Sequence, residues 1–307
     1  MNPEPPTPYD SAVLFISSLL KVHSAHSLSH PYAFMAVTIA ILGATGKTGR
    51  EVLQRLLAKQ DVNLRIYVRS HSKLAGLFPS LSSDSRVSVF QGPLEDIDNM
   101  SKCLNGAQKI IFTLGENDNL PGVSVIKDGV KSVLAALTAL SQGKKEWQRP
   151  RVLMLSSATW NPTLSATRPA LIHWAIKTAF AHPYADLRRG QAALLDASSL
   201  VSVLLVQPNA LIEDEPSGHE ISVERASLCV TYGDLGAAFV DLIDQEFDKL
   251  PAVGVSSKTG DDGLRYGHIL GYRIIRGLCA TYVPGFWSMN KFVNAVVSML
   301  TAKGEAK

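Results

Sequence analysis

The chain has 307 residues, 46% of them hydrophobic, and a formal net charge of +3 at pH 7. This length can bury one full hydrophobic core and suits one large domain, alone or with a smaller lobe. Because the positive charge is small and evenly spread, without a long basic face interleaved with aromatic residues, the sequence predicts no nucleic-acid partner.

The cysteine and histidine patterns indicate neither disulfides nor a metal site. The three cysteines, Cys103, Cys229 and Cys279, form an odd and widely spaced set. The eight histidines show no HExxH motif and no clustered ligand spacing. We therefore expect a reducing, cytoplasmic compartment and no bound metal.

The first 34 residues differ from the rest of the chain. They begin with a Pro-rich, acidic stretch that lacks the positive start of a secretory signal, and the apolar run that follows ends at Lys21. A membrane anchor would need about 20 apolar residues, so this run is too short to span a bilayer. We expect residues 1–34 to be a poorly ordered extension, and the sequence predicts no transmembrane segment.

From Ala36 onward, apolar strands alternate with helical stripes. The predicted strands run from Val37 to Leu42, Val62 to Arg69, Arg86 to Gly92, Lys109 to Gly115, Arg151 to Ser157 and Leu200 to Val206. This alternation predicts an α/β fold with a doubly wound parallel sheet, the Rossmann arrangement, in one domain over residues 35–307. Residues 207–307 are less regular and are expected to form a small substrate-facing lobe.

The glycine-rich segment AILGATGKTGRE, Ala40 to Glu51, admits two interpretations. A triphosphate-binding P-loop needs a further glycine five residues before Gly46, and that position is Ile41, inside the strand. A dinucleotide loop needs a strand, a tight glycine turn and a helix whose N-terminus faces a pyrophosphate, and all three are predicted here in that order. The dinucleotide interpretation is therefore favoured, with Gly43 at the turn, Gly46 beside the phosphates and Gly49 packing the helix on the sheet.

The GATGKTG loop closely resembles that of extended and atypical short-chain dehydrogenase/reductases, and most of all their NmrA-like, NAD(P)-binding branch. The resemblance runs from Val37 to about Phe247 and includes the segment VTYGDLGAAFVDLI, Val230 to Ile243. It implies an NAD(P)-binding domain and an oxidoreductase, often one of specialised metabolism. The cofactor-binding residues that it implies in the loop are Gly43, Thr45, Gly46, Lys47, Thr48 and Gly49.

The end of the second predicted strand favours NADP(H) over NAD(H). An NAD site places an acid there to bind the ribose 2′-hydroxyl, whereas an NADP site places basic groups that can meet a 2′-phosphate. Here the segment YVRSHSK contains Arg69 and Lys73 and no acid. Leu94 and Gly115, at the ends of the next strands, complete the predicted cofactor contacts. Many relatives have Gly-Asp-Leu where this chain has Gly92-Pro93-Leu94, so the adenine contact must come from backbone or from Glu95 or Asp96.

A catalytic set follows from the same resemblance. In the family pattern a serine ends strand five, and a tyrosine lies four residues before a lysine on the next long helix. Ser157 and Tyr184 match the serine and the tyrosine, and Arg188 stands where the lysine is expected. A free phenol with a pKa of about 10 is a poor acid–base group at neutral pH, so a nearby cation is needed. Arginine supplies such a charge, but its forked head differs from an ammonium.

The sequence therefore predicts an NADPH-dependent oxidoreductase that reduces a carbonyl or enone of a small, largely apolar substrate. Two alternatives remain open at this point: a non-catalytic NADP-binding sensor, and a non-redox isomerase or cyclase on the same fold. The substitution of lysine by Arg188 favours the sensor, whereas Ser157 and Tyr184 favour an enzyme. The oligomeric state is open.

Overall fold

The computed structural model describes residues 36–244, 247 and 249–294, so the extension predicted for residues 1–34 lies outside the described chain. The strands are β1 (Val37–Leu42), β2 (Val62–Val68), β3 (Val87–Gln91), β4 (Lys109–Phe112), β5 (Arg151–Leu155), β6 (Ser202–Pro208), β7 (Ala210–Ile212), β8 (His219–Ser222), β9 (Cys229–Thr231) and β10 (Ala252–Ser257). The α-helices are α1 (Lys47–Ala58), α2 (His71–Leu77), α3 (Ile97–Leu104), α4 (Val125–Ser141), α5 (Ala170–Ala179), α6 (Ala181–Asp196), α7 (Tyr232–Asp241) and α8 (Gly263–Tyr282).

Eight of these strands form one sheet in the order β3-β2-β1-β4-β5-β6-β10-β8. Every neighbouring pair is parallel except β10 with β8, which is antiparallel. The strand order reverses between β1 and β4, which is the topological switch point where open α/β sheets bind ligands. The predicted doubly wound parallel fold is confirmed.

Helices cover both faces of the sheet, and the alternation of side chains along β1 divides the core in two. Ile39 and Ile41 point to the face packed against α1 and α7, whereas Ala40 and Leu42 point to the face packed against α3, α4 and α6. All four side chains are fully or almost fully buried. A strand buried on both faces has no polar alternation, which explains the continuous apolar run of β1.

The central strands end earlier than the sequence pattern predicts. β4 ends at Phe112 rather than Gly115, and β5 ends at Leu155 rather than Ser157. After these residues the chain leaves the sheet at its carboxyl edge. There the Thr113 hydroxyl donates a hydrogen bond to the Leu42 carbonyl oxygen at 3.0 Å. The residues after these strands therefore lie in loops at the ligand-binding edge of the sheet.

Most of the chain after Gln207 forms regular elements. β8 and β10 extend the main sheet, β7 pairs with β9 in a separate two-stranded sheet, and α8 packs against α5. Residues 286–294 are helical, and the remainder of the apolar segment that ends at Leu300 lies outside the described residues. Among the described helices, none combines the length and the apolar character needed to cross a bilayer.

Candidate functional site

The loop between β1 and α1 folds back on itself through its glycines. Gly43 has a φ of 96°, a conformation that favours glycine, and the Gly46 amide donates to the Gly43 carbonyl oxygen at 2.9 Å. A Cβ at Gly43 would lie 2.7 Å from Thr113 Oγ1, and a Cβ at Gly49 would overlap the Gly43 carbonyl group. The loop therefore tolerates no side chain at these two positions, as a turn that brings backbone close to a ligand requires.

The start of α1 is suited to bind an anion. Its N-cap is Gly46, which has no side chain to accept hydrogen bonds from the first-turn amides, and no acidic residue lies in the first turn. Thr48 is buried in the first turn, whereas Lys47 is exposed. A glycine loop that leads into a helix with an uncapped N-terminus fits a pyrophosphate, so the residues present fit a dinucleotide.

The Lys47 side chain points away from this turn toward the loop after β7. It forms an ion pair with Glu213, and its Nζ lies 5.6 Å from the centroid of the Tyr232 ring. A surface cavity of about 280 Å³ lies beside this pair, with Arg50 and Asp214 among its lining residues. None of the residues that line this cavity is a predicted catalytic residue.

The corner after β2 is basic and polar. Arg69 and Lys73 are exposed, and within the described residues neither side chain has a carboxylate partner. Ser70 caps α2 by accepting a hydrogen bond from the Lys73 amide at 3.2 Å, which fixes the helix beside the end of the strand. Two cations without a competing acid make this corner suited to a phosphate group.

The turn after β3, which contains Gly92-Pro93-Leu94, is held in place by hydrogen bonds that the side chains of Tyr67 and Asp96 form. The Tyr67 hydroxyl donates to the Pro93 carbonyl oxygen at 2.6 Å, and Asp96 caps α3 by accepting from the Asn99 amide at 3.0 Å. Burial, and then Asp96, raise the pKa of Tyr67. Leu94 packs half-buried against the core, and Gly115 is exposed with open space around it. The Asp96 carboxylate is thus engaged in capping.

The structure brings Ser157 and Tyr184 together after β5. Ser157 Oγ donates to Tyr184 Oη at 3.4 Å, and Thr159 Oγ1 lies 3.2 Å from the same oxygen. Ser157 is buried and also accepts a hydrogen bond from the Thr159 amide at 3.3 Å. The phenol ring packs near Phe180 and meets Trp160 edge-on, with ring centroids 6.0 Å and 5.9 Å away. Three hydroxyl groups therefore converge beside aromatic walls.

Arg188 lies one turn after Tyr184 on α6, as predicted, but its guanidinium stacks on a neighbouring ring. Its Cζ is 4.5 Å from the centroid of Trp160, and Lys177 Nζ is 4.3 Å from the same centroid. Both cations gain from the electron-rich face of the indole. Among the described contacts, none joins the Arg188 guanidinium directly to the Tyr184 hydroxyl.

Three polar residues of this cluster were not predicted from the sequence, and they are Thr159, Arg168 and Asn209. Arg168 Nη1 donates to Thr159 Oγ1 at 3.1 Å, and its other terminal nitrogen donates to Asn209 Oδ1. Asn209 in turn donates to the carbonyl oxygen of Ser227 at 2.8 Å. Arg168 lies in an irregular loop and Asn209 between two strands, so neither falls on a periodic pattern.

The described residues contain no group of three or more His, Cys, Asp or Glu side chains that could hold a metal ion.

Comparison with known proteins agrees with this geometry. A family model described as NAD(P)H-binding matches residues 43–246. The chain is 36% identical over 211 residues to oxidoreductase stcQ of Emericella nidulans, an alignment that covers 67% of this chain and 77% of the relative. It is 31% identical to oxidoreductase AgnL4 of Paecilomyces divaricatus, covering 80% and 95%, and 32% identical to oxidoreductase aflX of Aspergillus parasiticus, covering 82% and 94%.

Among solved structures, the fold is similar to a wide-type short-chain dehydrogenase/reductase from Veillonella parvula in complex with NADP. The TM-score is 0.58 at 18% identity, and the match covers 73% of this chain and 96% of that one. ChuY, an anaerobillin reductase from Escherichia coli, gives a TM-score of 0.51 at 16% identity, with 72% and 98% covered. The family match, the curated relatives and the shared fold lead to one assignment. The chain belongs to the NAD(P)H-binding family and shares the fold of a short-chain dehydrogenase/reductase.

Proposed function

We propose that this protein is an NADPH-dependent oxidoreductase that reduces a carbonyl or enone of a small, largely apolar substrate. The observation that carries the proposal is the convergence of Ser157, Thr159 and Tyr184 hydroxyls after β5, at the same sheet edge as the glycine loop. The relatives at 31–36% identity are named oxidoreductases, which supports the reaction class.

The hydroxyl cluster has the groups that a carbonyl reduction requires from the protein. A bound reduced nicotinamide supplies the hydride that the substrate carbon accepts. Ser157 orients the substrate oxygen, and Tyr184 gives that oxygen its phenolic proton, so that the carbonyl becomes an alcohol. Solvent then returns a proton to the tyrosinate. Proton transfer by a positioned side chain contributes about 10²–10⁴-fold to a rate, so Tyr184 is the residue whose loss costs most.

The choice of NADPH rests on the corner after β2. Arg69 and Lys73 offer two cations where an NAD site would offer a carboxylate. An apolar substrate is supported by the walls of the cluster, where Trp160 and Phe180 pack against Tyr184.

The test is NADPH consumption by the purified protein across a panel of aryl ketones, quinones and α,β-unsaturated ketones. We expect turnover with NADPH well above that with NADH, and a fall in kcat of about 100-fold or more in Tyr184→Phe. Because the substitution removes only a hydroxyl group, NADPH affinity and the thermal unfolding midpoint should change little. Turnover that survives Tyr184→Phe unchanged contradicts these roles. Binding of NADPH without turnover of any substrate would instead favour a non-catalytic sensor.

A further inference from the structure

Arg168 is a half-buried cation without an acidic partner among the described residues. It lies in the loop between β5 and α5, and its guanidinium donates only to neutral oxygens, those of Thr159 and Asn209. Burial lowers the pKa of its guanidinium, and a negative charge on Tyr184 would act in the opposite direction. Placing a charge away from water costs free energy that neutral partners offset only in part. Such a cation is suited to a negative charge that forms beside it during a reaction.

The donor and acceptor groups of the cluster determine the direction of its hydrogen bonds. A guanidinium only donates, so Thr159 Oγ1 must accept from Arg168 Nη1 at 3.1 Å. The Thr159 hydroxyl proton is then available to the Tyr184 oxygen at 3.2 Å, which also accepts from Ser157 at 3.4 Å. With two donors aimed at its oxygen, the Tyr184 hydroxyl is left with its own proton to give to another acceptor. This is the arrangement that a proton donor needs.

Arg188 lacks this connection. Its guanidinium is stacked on Trp160, whose ring edge meets Tyr184 at a centroid distance of 5.9 Å, so its charge acts across an aromatic ring. Arg168 is separated from the phenolic oxygen by one hydroxyl group. A charge that acts through a short chain of polarised hydrogen bonds is the better connected of the two.

We propose that Arg168, acting through Thr159, is the positioning residue that holds the Tyr184 hydroxyl for proton transfer and stabilises the tyrosinate that results. It would thereby supply the charge that the family pattern assigns to a lysine four residues after the tyrosine. The catalytic meaning of this inference rests on the proposed function, whereas the interaction of Arg168 with Tyr184 does not. The residue that follows the family spacing, Arg188, would have a lesser part.

Three other charged or titratable side chains lie around this cluster. Lys177 and Arg188 are stacked on Trp160, and His173 is on the facing helix α5. Burial, then Lys177 and then Arg168 lower the pKa of His173, so this residue is neutral in alkaline solution. Each variant in the test is compared with its own Tyr184→Phe counterpart, which keeps all three of these neighbours.

The test is the appearance of tyrosinate absorbance with rising pH, taken as the difference between each protein and its Tyr184→Phe counterpart. We expect Arg168→Gln, which keeps hydrogen-bond donors and removes the charge, to move this signal about one pH unit higher. Arg168→Lys keeps a positive charge, so its tyrosinate signal should lie close to that of the unchanged protein. Arg149→Gln is the matched control, because Arg149 donates to the Ser198 carbonyl oxygen at the opposite end of β5 and should have no effect.

Two further variants keep the test decisive. If Arg168→Gln fails to fold, Thr159→Val breaks the connection while the cation stays, and it should move the signal in the same direction. A shift in Arg188→Gln that equals or exceeds that of Arg168→Gln would overturn the inference, as would an unmoved signal in well-folded Arg168→Gln. The measurement needs neither cofactor nor substrate. Absence of NADPH turnover would therefore refute the proposed function alone, and an unmoved signal would refute this inference alone.

Discussion

At the scale of single residues, the glycine loop depends on contacts that allow no Cβ. Gly43 presses against Thr113, and Gly49 presses against the Gly43 carbonyl group. These contacts hold the start of α1 close to the end of β1, and they leave its first-turn amides free of a side-chain cap. The same packing that makes the helix start available to a phosphate thus also stabilises the fold.

Gly49→Ala should weaken both the stability of the fold and the binding of the cofactor phosphates by this loop. Because the added methyl group would overlap the Gly43 carbonyl, we expect a loss of about 1–3 kcal/mol in the free energy of unfolding and weaker NADPH binding. Chemical unfolding and a fluorescence titration with NADPH measure the two effects. Gly267→Ala is the control: its Cβ would meet nothing within 4 Å on the exposed side of α8, so stability should rise by up to about 1 kcal/mol. Full NADPH affinity in Gly49→Ala would count against the loop as the pyrophosphate site.

Arg69→Ser should change the choice of cofactor. A charged hydrogen bond to phosphate contributes about 1.5–3 kcal/mol, so the affinity for NADPH should fall by at least about tenfold, whereas that for NADH should stay nearly constant. The two dissociation constants can be measured by calorimetry. Arg149→Ser, at the other edge of the sheet, should alter neither constant. An equal loss for both cofactors would show that Arg69 does not discriminate the 2′-phosphate.

Residues on a recognisable motif could be predicted from the sequence, whereas others in the same site could not. The glycines, Ser157 and Tyr184 lie at fixed positions of a pattern, and the structure places them at one edge of the sheet. Arg168 and Asn209 lie outside the regular elements, and only the fold brings Arg168 into contact with Thr159 and with Asn209. The sequence could place Arg188 one turn after Tyr184, but the position of Trp160 determines where its side chain packs.

At the scale of elements, Asp186 ties the helix that bears Tyr184 to its neighbour. Asp186 is 1% exposed on α6, and its carboxylate accepts from the amides of Ile126 and Lys127 at 2.8 and 2.9 Å. These amides open α4, whose own N-cap residue Ser124 forms no side-chain capping bond. Asp186, which lies between Tyr184 and Arg188 in the sequence, therefore caps α4 and fixes the position of α6 against it.

Asp186→Ala should destabilise the protein by about 2–3 kcal/mol, because it leaves the buried Ile126 amide and the part-buried Lys127 amide at a helix start without acceptors. The free energy of unfolding in urea measures this loss. Asp196→Ala provides a matched control on the same helix, since Asp196 is exposed at its end and should matter by less than about 0.5 kcal/mol. Equal stability of the two variants would contradict the capping role.

The strands up to β6 were predicted, whereas most of the elements after Gln207 were not, although β10 has six residues and α8 has twenty. β1 to β6 and the helices α1, α3, α4 and α6 follow apolar runs and helical stripes, and they succeed one another along the chain as predicted, whereas α2 and α5 were not predicted. β7 and β9 have three residues each, and β8 has four that are mostly half-exposed, so none of them leaves a periodic signal. The ends of β4 and β5 depend on where the chain departs for the site, which apolar pattern alone does not encode.

At the scale of the whole molecule, folding places two of the three cysteines inside the core. Burial raises the pKa of Cys103 to about 12 and that of Cys229 to about 12, whereas Cys279 is half-exposed. The thiols of the folded protein then stay protonated at pH values where those of the unfolded chain, with a pKa of about 8.5, lose their protons. Because the unfolded state binds fewer protons there, stability should fall as the pH rises from about 8.5 toward 12.

The corresponding prediction concerns thiol labelling and stability together. At mildly alkaline pH a thiol reagent should modify Cys279 rapidly and Cys103 and Cys229 only as fast as the protein unfolds. The free energy of unfolding should decline above about pH 8.5, and Cys103→Ala, although less stable at neutral pH, should show a shallower decline. Rapid labelling of all three thiols in the folded protein would contradict the burial of the two cysteines.

The most direct test of the proposed reaction follows an isotope from cofactor to product. NADPH that carries deuterium at the transferable position of its nicotinamide is incubated with the protein and a substrate found in the carbonyl panel, and the product is analysed by mass spectrometry. We expect one deuterium on the former carbonyl or enone carbon, with product formation reduced about 100-fold or more in Tyr184→Phe. A product without deuterium, or one formed at an unchanged rate by Tyr184→Phe, would contradict the proposed reaction.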